Sequence, residues 1–351
     1  MATLFILVSI GTVMLSAMAW SCYRLTSIFR GTKNSEISFS PHELRLGEVF
    51  VAIFAMMIKS ASNRALTWKI GSSTDEISLT SPFYITNDDI SRYHDAVGRP
   101  KHSPNKLSSS ALPVFLAAVT EPAMLLLLMH PHCPINPLGA VNVRNRFEIL
   151  RPDLCQLSLF KSEHAAGLVA TFRNKPRSVK RGIEFDLEVA IMVPDKTKTG
   201  LTPVFRQIFT MLEFRKTHVA SEKSQQQTKR TPMSPRLISF PTRSPMLWAS
   251  LCKDYNFIHL SGYAARLFGL PGKLAHGNHI VAQALRELEN EGESDSTQME
   301  PIWMEVNFKK PVVVPCVLEV EMQATTGGAK AFSIYKYSQL HVLIEQGKLV
   351  A

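Results

Sequence analysis

Read for hydrophobic spacing alone, the chain beyond residue 82 shows one pattern twice. In its second appearance, "GNHIVAQALRELENE" opens at Gly277 and places Ile280, Val281, Ala284, Leu285 and Leu288 on one stripe, which predicts a helix with one buried face. Before it, "LISFPTRSPMLWASLCKDYN" reads as a strand, a turn and a short helix around residues 246–252. After it come strand-like runs at 301–312, 316–325, 330–340 and 341–350. In the first appearance, "FYITNDDISRYHDAVGRP" gives a strand and a helix capped near Thr86 or Asn87. A polar loop and an apolar helix over residues 111–129 follow, then strand-like runs at 140–150, 155–164, 167–176 and 181–193. Alternation within the last two signals a sheet with one buried face.

Each copy therefore reads as helix, loop, long apolar helix and three or four antiparallel strands. A curved sheet wrapped around one helix buries so apolar a segment. The expected fold class is α+β, a double hot-dog whose two sheets pair edge to edge as a pseudo-dimer, with a homodimer as a further expectation. Residues 81–213 form the first, degenerate half and 237–351 the second. Between them, 214–236 is polar, basic and rich in Gln and Ser, the composition of a linker. Residues 36–80 are assigned as a connecting segment, with "SPHELRLGEVFVAIFAMMIKSA" read as one helix capped by Ser40, Pro41 and Glu43.

Residues 1–35 form a separate segment. From residue 2 to 23 there is no charged side chain, and the run is long enough to cross a ~30 Å hydrocarbon core as a helix. Trp20 and Tyr23 suit the interface, and Arg24, Arg30 and Lys33 place the remainder on the cytoplasmic side. The competing reading is a signal peptide with a cleavage site near Ala17 and Ala19, against which stands the missing basic leader. An N-terminal transmembrane helix is the expectation.

Composition narrows the partners. The chain of 351 residues is 45% hydrophobic and 19% charged, a globular balance. Its net charge of +10 favours anionic partners: nucleic acid, an acidic membrane face or a phosphorylated ligand such as coenzyme A. No nucleic-acid module is recognisable, so nucleic acid is set aside. The five cysteines are widely spaced without a CxxC pair, which points to reduced thiols and to no metal site.

The stretch "KDYNFIHLSGYAARLFGLPGKLAHGN" carries the chemistry. It sets Asp254, Asn256 and His259 two and five residues apart, then places His276-Gly277 at the start of the apolar helix. A carboxylate and an imidazole on one tight loop can reach the same water. A glycine at a helix start leaves backbone N–H groups and the helix dipole open to an oxygen. The set resembles the signature of the MaoC-like, (R)-specific enoyl-CoA hydratases (hydratase 2), clearly over 237–351 and in architecture only over the first half. The resemblance implies Asp254 and His259 as the catalytic pair and the Gly277 N–H as the thioester anchor, with Asn256, Lys253 and His276 around the substrate. It implies a hydro-lyase interconverting (3R)-3-hydroxyacyl and trans-2-enoyl thioesters of coenzyme A or acyl carrier protein, with no cofactor.

Two departures bear on this. Lys253 stands where the family commonly has Gly or Glu, and Phe257 where it has proline. Both favour a rival reading, a non-catalytic acyl-thioester-binding subunit. A thioesterase is the third, although the helix from Gly277 carries no acid before Glu287. In the first half Asp89 and His94 are also five apart, but on a helix, where their side chains diverge. That half is expected to be catalytically empty.

Overall fold

The computed structural model describes residues 33–65, 76–98, 107–173, 175–195, 200–215, 235–289, 300–323 and 330–349, with isolated positions between 16 and 28. Most of the expected membrane helix, and all but the ends of the expected linker, lie outside the described residues.

The N-terminal half contains β1 (Asn34–Glu36), α1 (Leu46–Ala65), β2 (Glu76–Phe83), α2 (Asn87–Val97), α3 (Leu112–Met129), β3 (Ala140–Ile149), β4 (Ala166–Arg173), β5 (Arg177–Val179), β6 (Gly182–Pro194) and β7 (Leu201–Phe214). The C-terminal half contains β8 (Arg236–Phe240), α4 (Ser244–Cys252), α5 (Phe257–Leu260), α6 (Gly262–Leu267), α7 (Gly277–Glu289), β9 (Ile302–Phe308), β10 (Cys316–Gln323), β11 (Lys330–Lys336) and β12 (Gln339–Lys348). The strands make one sheet in the order β1-β2-β4-β6-β7-β3-β9-β12-β11-β10-β8, with β5 on β6. From β2 to β8 the order is palindromic. The halves meet at its centre, where β3 runs antiparallel to β9 with Phe147 opposite Met304 and Ile149 opposite Ile302. The expected edge-to-edge pairing of two hot-dog sheets is thus present within one chain.

α3 is the central helix of the first half, and all its residues except Leu125 are buried. Each fully buried large aliphatic side chain stabilises the fold by roughly 1.5–3 kcal/mol, so this helix dominates the core. Its C-terminal carbonyls are satisfied from outside: Lys59 Nζ, from α1, donates to Leu128 O at 2.7 Å and His130 O at 2.9 Å. Among the described residues α3 is also the helix long and apolar enough to cross a membrane, but 94% of it is buried inside the protein. Its hydropathy is that of a core element.

Several local expectations change. The helix expected from Pro41 is a single 3-10 turn, Pro41–Glu43; Leu44 leaves helical geometry, and α1 starts afresh at Leu46, where Glu48 accepts from the Arg45 amide. The stretch 36–80 is not merely connecting, because β1 and β2 belong to the sheet. Residues 155–164 are not a strand: Cys155 and Phe160 are the buried positions, and Leu157–Phe160 is one helical turn. β7, fourteen residues long, was not anticipated. The last hairpin turns at Tyr337-Ser338, both left-handed, instead of near residue 340.

Candidate active site

α4 ends because Lys253 adopts a left-handed conformation (φ 57°), with its amide donating to Ala249 O. Gly98 ends α2 in the first half with a positive φ as well, and Arg99 beyond it lies outside the described residues. The turn at Lys253 projects Asp254 off the helix end. Asp254 Oδ1 accepts from the Asn256 amide at 3.1 Å, and Asn256 Oδ1 in turn caps α5 by accepting from the Ile258 amide at 3.3 Å. Asn256 therefore holds the loop, where the resemblance implied a place around the substrate. α5 carries His259 back toward Asp254.

The opposite wall is the segment before α7. It is tied down by Leu274 N to Ile258 O, Ala275 N to Val312 O and Val314 N to Lys273 O, each 2.9 Å. His276 is buried, and its Nε2 lies 3.0 Å from the Asp254 carbonyl. The His259 and His276 rings stack, with centroids 3.8 Å apart. Asp254 Oδ2 sits 3.7 Å from His259 Nε2 and 3.8 Å from His276 Nε2.

The hydrogen bonds fix the tautomers, because a carbonyl only accepts. His259 Nδ1 is 3.1 Å from Leu274 O, so Nδ1 carries the proton and Nε2 presents a lone pair. His276 carries its proton on Nε2, toward Asp254 O. Burial first, and then the neighbouring His259, hold the His276 imidazole well below its usual range, so it stays neutral. In this tautomer two acceptors, Asp254 Oδ2 and His259 Nε2, face each other too far apart to bond directly. A small molecule with two O–H bonds satisfies both. The spacing of Asp254, His259 and His276 would also suit a divalent cation, with ligand atoms all within 4.8 Å of one another. However, the His276 nitrogen on that side is a donor, which leaves two ligands where a metal site needs at least three.

Gly277 opens α7 immediately beyond His276, and the first-turn N–H groups there have no intrahelical acceptors. A Cβ on Gly277 would fall 2.5 and 2.7 Å from two carbons of the Phe308 ring, so this position has no room for a side chain.

Sequence reading missed a support from the first half. Asn278, the next residue, accepts through Oδ1 from Asn145 Nδ2 of β3 at 2.7 Å, and Asn145 accepts from Asn142 at 2.8 Å. Asn278 also hydrogen-bonds the carboxyl of Glu121, a buried residue of α3. Burial, then the charge of Asp254, push that carboxyl well above the usual carboxylate range, and the Asn278 bond only partly offsets this. Glu121 was noticeable in sequence as the one acid in an apolar run, but nothing local told where it pointed. His279, fully buried and stacked on Trp248, bonds the Ala96 carbonyl at 2.9 Å; burial lowers its pKa to about 4. It is structural. Lys253 does not join the Asp254–His259 pair by any hydrogen bond; burial and then Arg92 lower its pKa, and Asp89 and Asp88 of α2 are its acidic neighbours. Asp89 and His94 remain apart in role: Asp89 caps α2 through Thr86.

The chain is similar to several known proteins. Residues 217–342 match the family model described as "MaoC like domain". The match falls on the C-terminal half, which is similar to that family. Over 213 residues, 60% of this chain and 69% of the relative, the sequence is 24% identical to 3-hydroxyacyl-thioester dehydratase X of Mycobacterium tuberculosis. The crystal structure of HtdX from that organism superposes with a TM-score of 0.57 at 19% identity, covering 78% of this chain and all of that one. A MaoC-like dehydratase from Phytophthora capsici gives 0.57 at 16% identity, over 79% of this chain and 97% of that one. The structural matches extend well beyond residues 217–342, so the first half shares the fold although the family model does not reach it.

Proposed function

We propose that the protein is a hydro-lyase that interconverts (3R)-3-hydroxyacyl and trans-2-enoyl thioesters. The observation that carries this reading is the facing pair of acceptors, Asp254 Oδ2 and His259 Nε2, 3.7 Å apart in front of the Gly277 helix start. In the hydration direction, a water donates one O–H to each acceptor and turns its own lone pair toward C3 of the enoyl group. As the C3–O bond forms, Asp254 takes a proton from the water. The electron pair of the double bond moves onto the thioester oxygen, where the N–H groups of the α7 first turn and the helix dipole stabilise the growing charge. Return of a proton to C2 completes the addition. His259 orients the water, and His276, neutral and stacked beneath it, fixes the ring plane.

Coenzyme A and acyl carrier protein are both compatible carriers. The chain's charge of +10 favours the phosphates of the first and the acidic surface expected of the second. Residues 2–23 are read as a membrane anchor, with the catalytic portion on the cytoplasmic side, on the support of their uncharged composition and the basic residues that follow.

The test offers crotonyl-CoA and longer enoyl-CoAs while following both loss of the conjugated absorbance and release of thiol. Hydration without thiol release is expected. Thiol release would indicate a thioesterase, and inactivity in both would indicate a binding subunit. Asp254→Asn is expected to slow hydration by roughly 10²–10⁴; an unchanged rate removes Asp254 from the mechanism.

A further inference from the structure

α1 is apolar on two faces: Val49, Ala52, Ile53 and Met56 pack inward, and a second apolar stripe faces outward. Leu46, Phe50, Phe54 and Ile58, four apart and so on one face, are 54, 40, 59 and 54% exposed. The charged residues Glu48 and Lys59 point the other way. Glu48 is buried against Arg24, and Lys59 reaches into the core to the carbonyls at the end of α3. A helix facing water shows the reverse arrangement.

The chain itself indicates what covers this face. The uncharged segment, residues 2–23, joins the folded part at the corner where the stripe begins. Leu25 is buried in the core, and Arg24 bonds Glu48 in the first turn of α1 while lying 3.8 Å over the Phe39 ring. Trp20 and Tyr23, just before that corner, are exposed and lie against each other at 6.1 Å. Arg30, Lys33 and Arg45 are close by in sequence, suited to anionic headgroups. A second protein copy would account for the stripe but not for the uncharged segment leading into it; a bilayer accounts for both.

We infer that the outer face of α1 rests in the lipid surface, so that the protein lies against the membrane along this helix. The face also reaches the catalytic loop. The Phe50 ring is 6.4 Å from that of Tyr255, the neighbour of Asp254. A long acyl chain dissolved in the bilayer would thus meet the protein beside its candidate site. This last step rests on the hydro-lyase reading; the lipid contact does not.

The experiment uses the full chain in vesicles of phosphatidylcholine with phosphatidylglycerol. Phe54→Cys, in a Cys22→Ser, Cys316→Ser background, is labelled with an environment-sensitive fluorophore; Tyr337→Cys, at an exposed turn, is the control. Nitroxide-bearing lipid is expected to quench position 54 and spare position 337. Vesicle-bound protein with position 54 unquenched overturns the inference, as does protein that fails to bind vesicles. So does a dimer in detergent that Phe50→Ser/Phe54→Ser/Ile58→Ser dissociates while position 54 stays unquenched. A kinetic arm separates the two readings. The triple variant should raise KM for vesicle-borne long-chain enoyl thioesters by about tenfold and leave crotonyl-CoA turnover unchanged. If position 54 is quenched but no substrate is turned over, the lipid face stands and the hydro-lyase reading falls.

Discussion

Gly277→Ala isolates the contribution of the helix start. The added methyl would lie 2.5 and 2.7 Å from the Phe308 ring, where ordinary contact begins at 3.4 Å. Ring and helix must therefore separate by about 1 Å, and a displacement of that size at a reacting centre costs on the order of 10²-fold in rate. Stability is a poor reporter here. Overpacking costs about 1–3 kcal/mol, and alanine returns up to about 1 kcal/mol of helix propensity over glycine. The assay is kcat for crotonyl-CoA hydration, with the melting temperature measured beside it. Gly277→Ala should lose about two orders of magnitude in kcat with a modest change in melting. Phe308→Leu should be milder, and the double variant should recover much of the lost rate, because leucine leaves space where the ring edge stood. A Gly277→Ala enzyme as fast as the native one would refute the reasoning outright. A slow double variant would show that the clash with Phe308 is not the cause.

Three further outcomes follow from the buried polar groups. Because Glu121 is held well above the ordinary carboxyl range, its contribution to stability is full below pH ~4.3 and is lost as pH rises toward its folded-state value. Glu121→Gln should remove that slope, so that urea midpoints of variant and native protein diverge at pH 8 and converge at pH 4. His279 works oppositely. Its pKa of about 4 means that stability present above pH ~6.5 is lost as pH falls toward 4, by roughly 3 kcal/mol, and His279→Gln should flatten this acid limb. Asn145→Ala leaves the buried Asn278 Oδ1 without its donor, which should cost about 1–3 kcal/mol in chemical denaturation and lower kcat more than it raises KM.

Local pattern carried much of this structure. The α7 stripe, the cap of α2 at Thr86 and the His-Gly step into α7 are all short-range features, and each was readable from spacing. β7 was not, because it lies inside the sheet between β6 and β3 and buries Val204 and Phe205 in succession along with Gln207, Thr210 and Glu213. A strand covered on both faces loses the alternation that identifies it. A register shift near Ile191 and Met192 disturbs the partner strand as well. At the site, Asp254, His259 and Gly277 lie within one short stretch and could be found together. Glu121 and Asn145 could not, because their meeting with Asn278 depends on the two halves closing on each other, with Asn145 and Asn278 lying 133 positions apart.

The ladder between β3 and β9 has a consequence for stoichiometry. Two hot-dog units held by ordinary association would separate on dilution, and two identical ones would each bring a reactive centre. Here the union is covalent, so it persists at any concentration, and the acid–imidazole couple that faces a central helix start is in the second member; in the first, Asp89 lies 3.7 Å from His42 but is occupied as the cap of α2. A tight-binding analogue should saturate at one molecule per chain. The relieved member is free to specialise, and its central helix lends a carboxyl group, rather than a second reaction, to its neighbour.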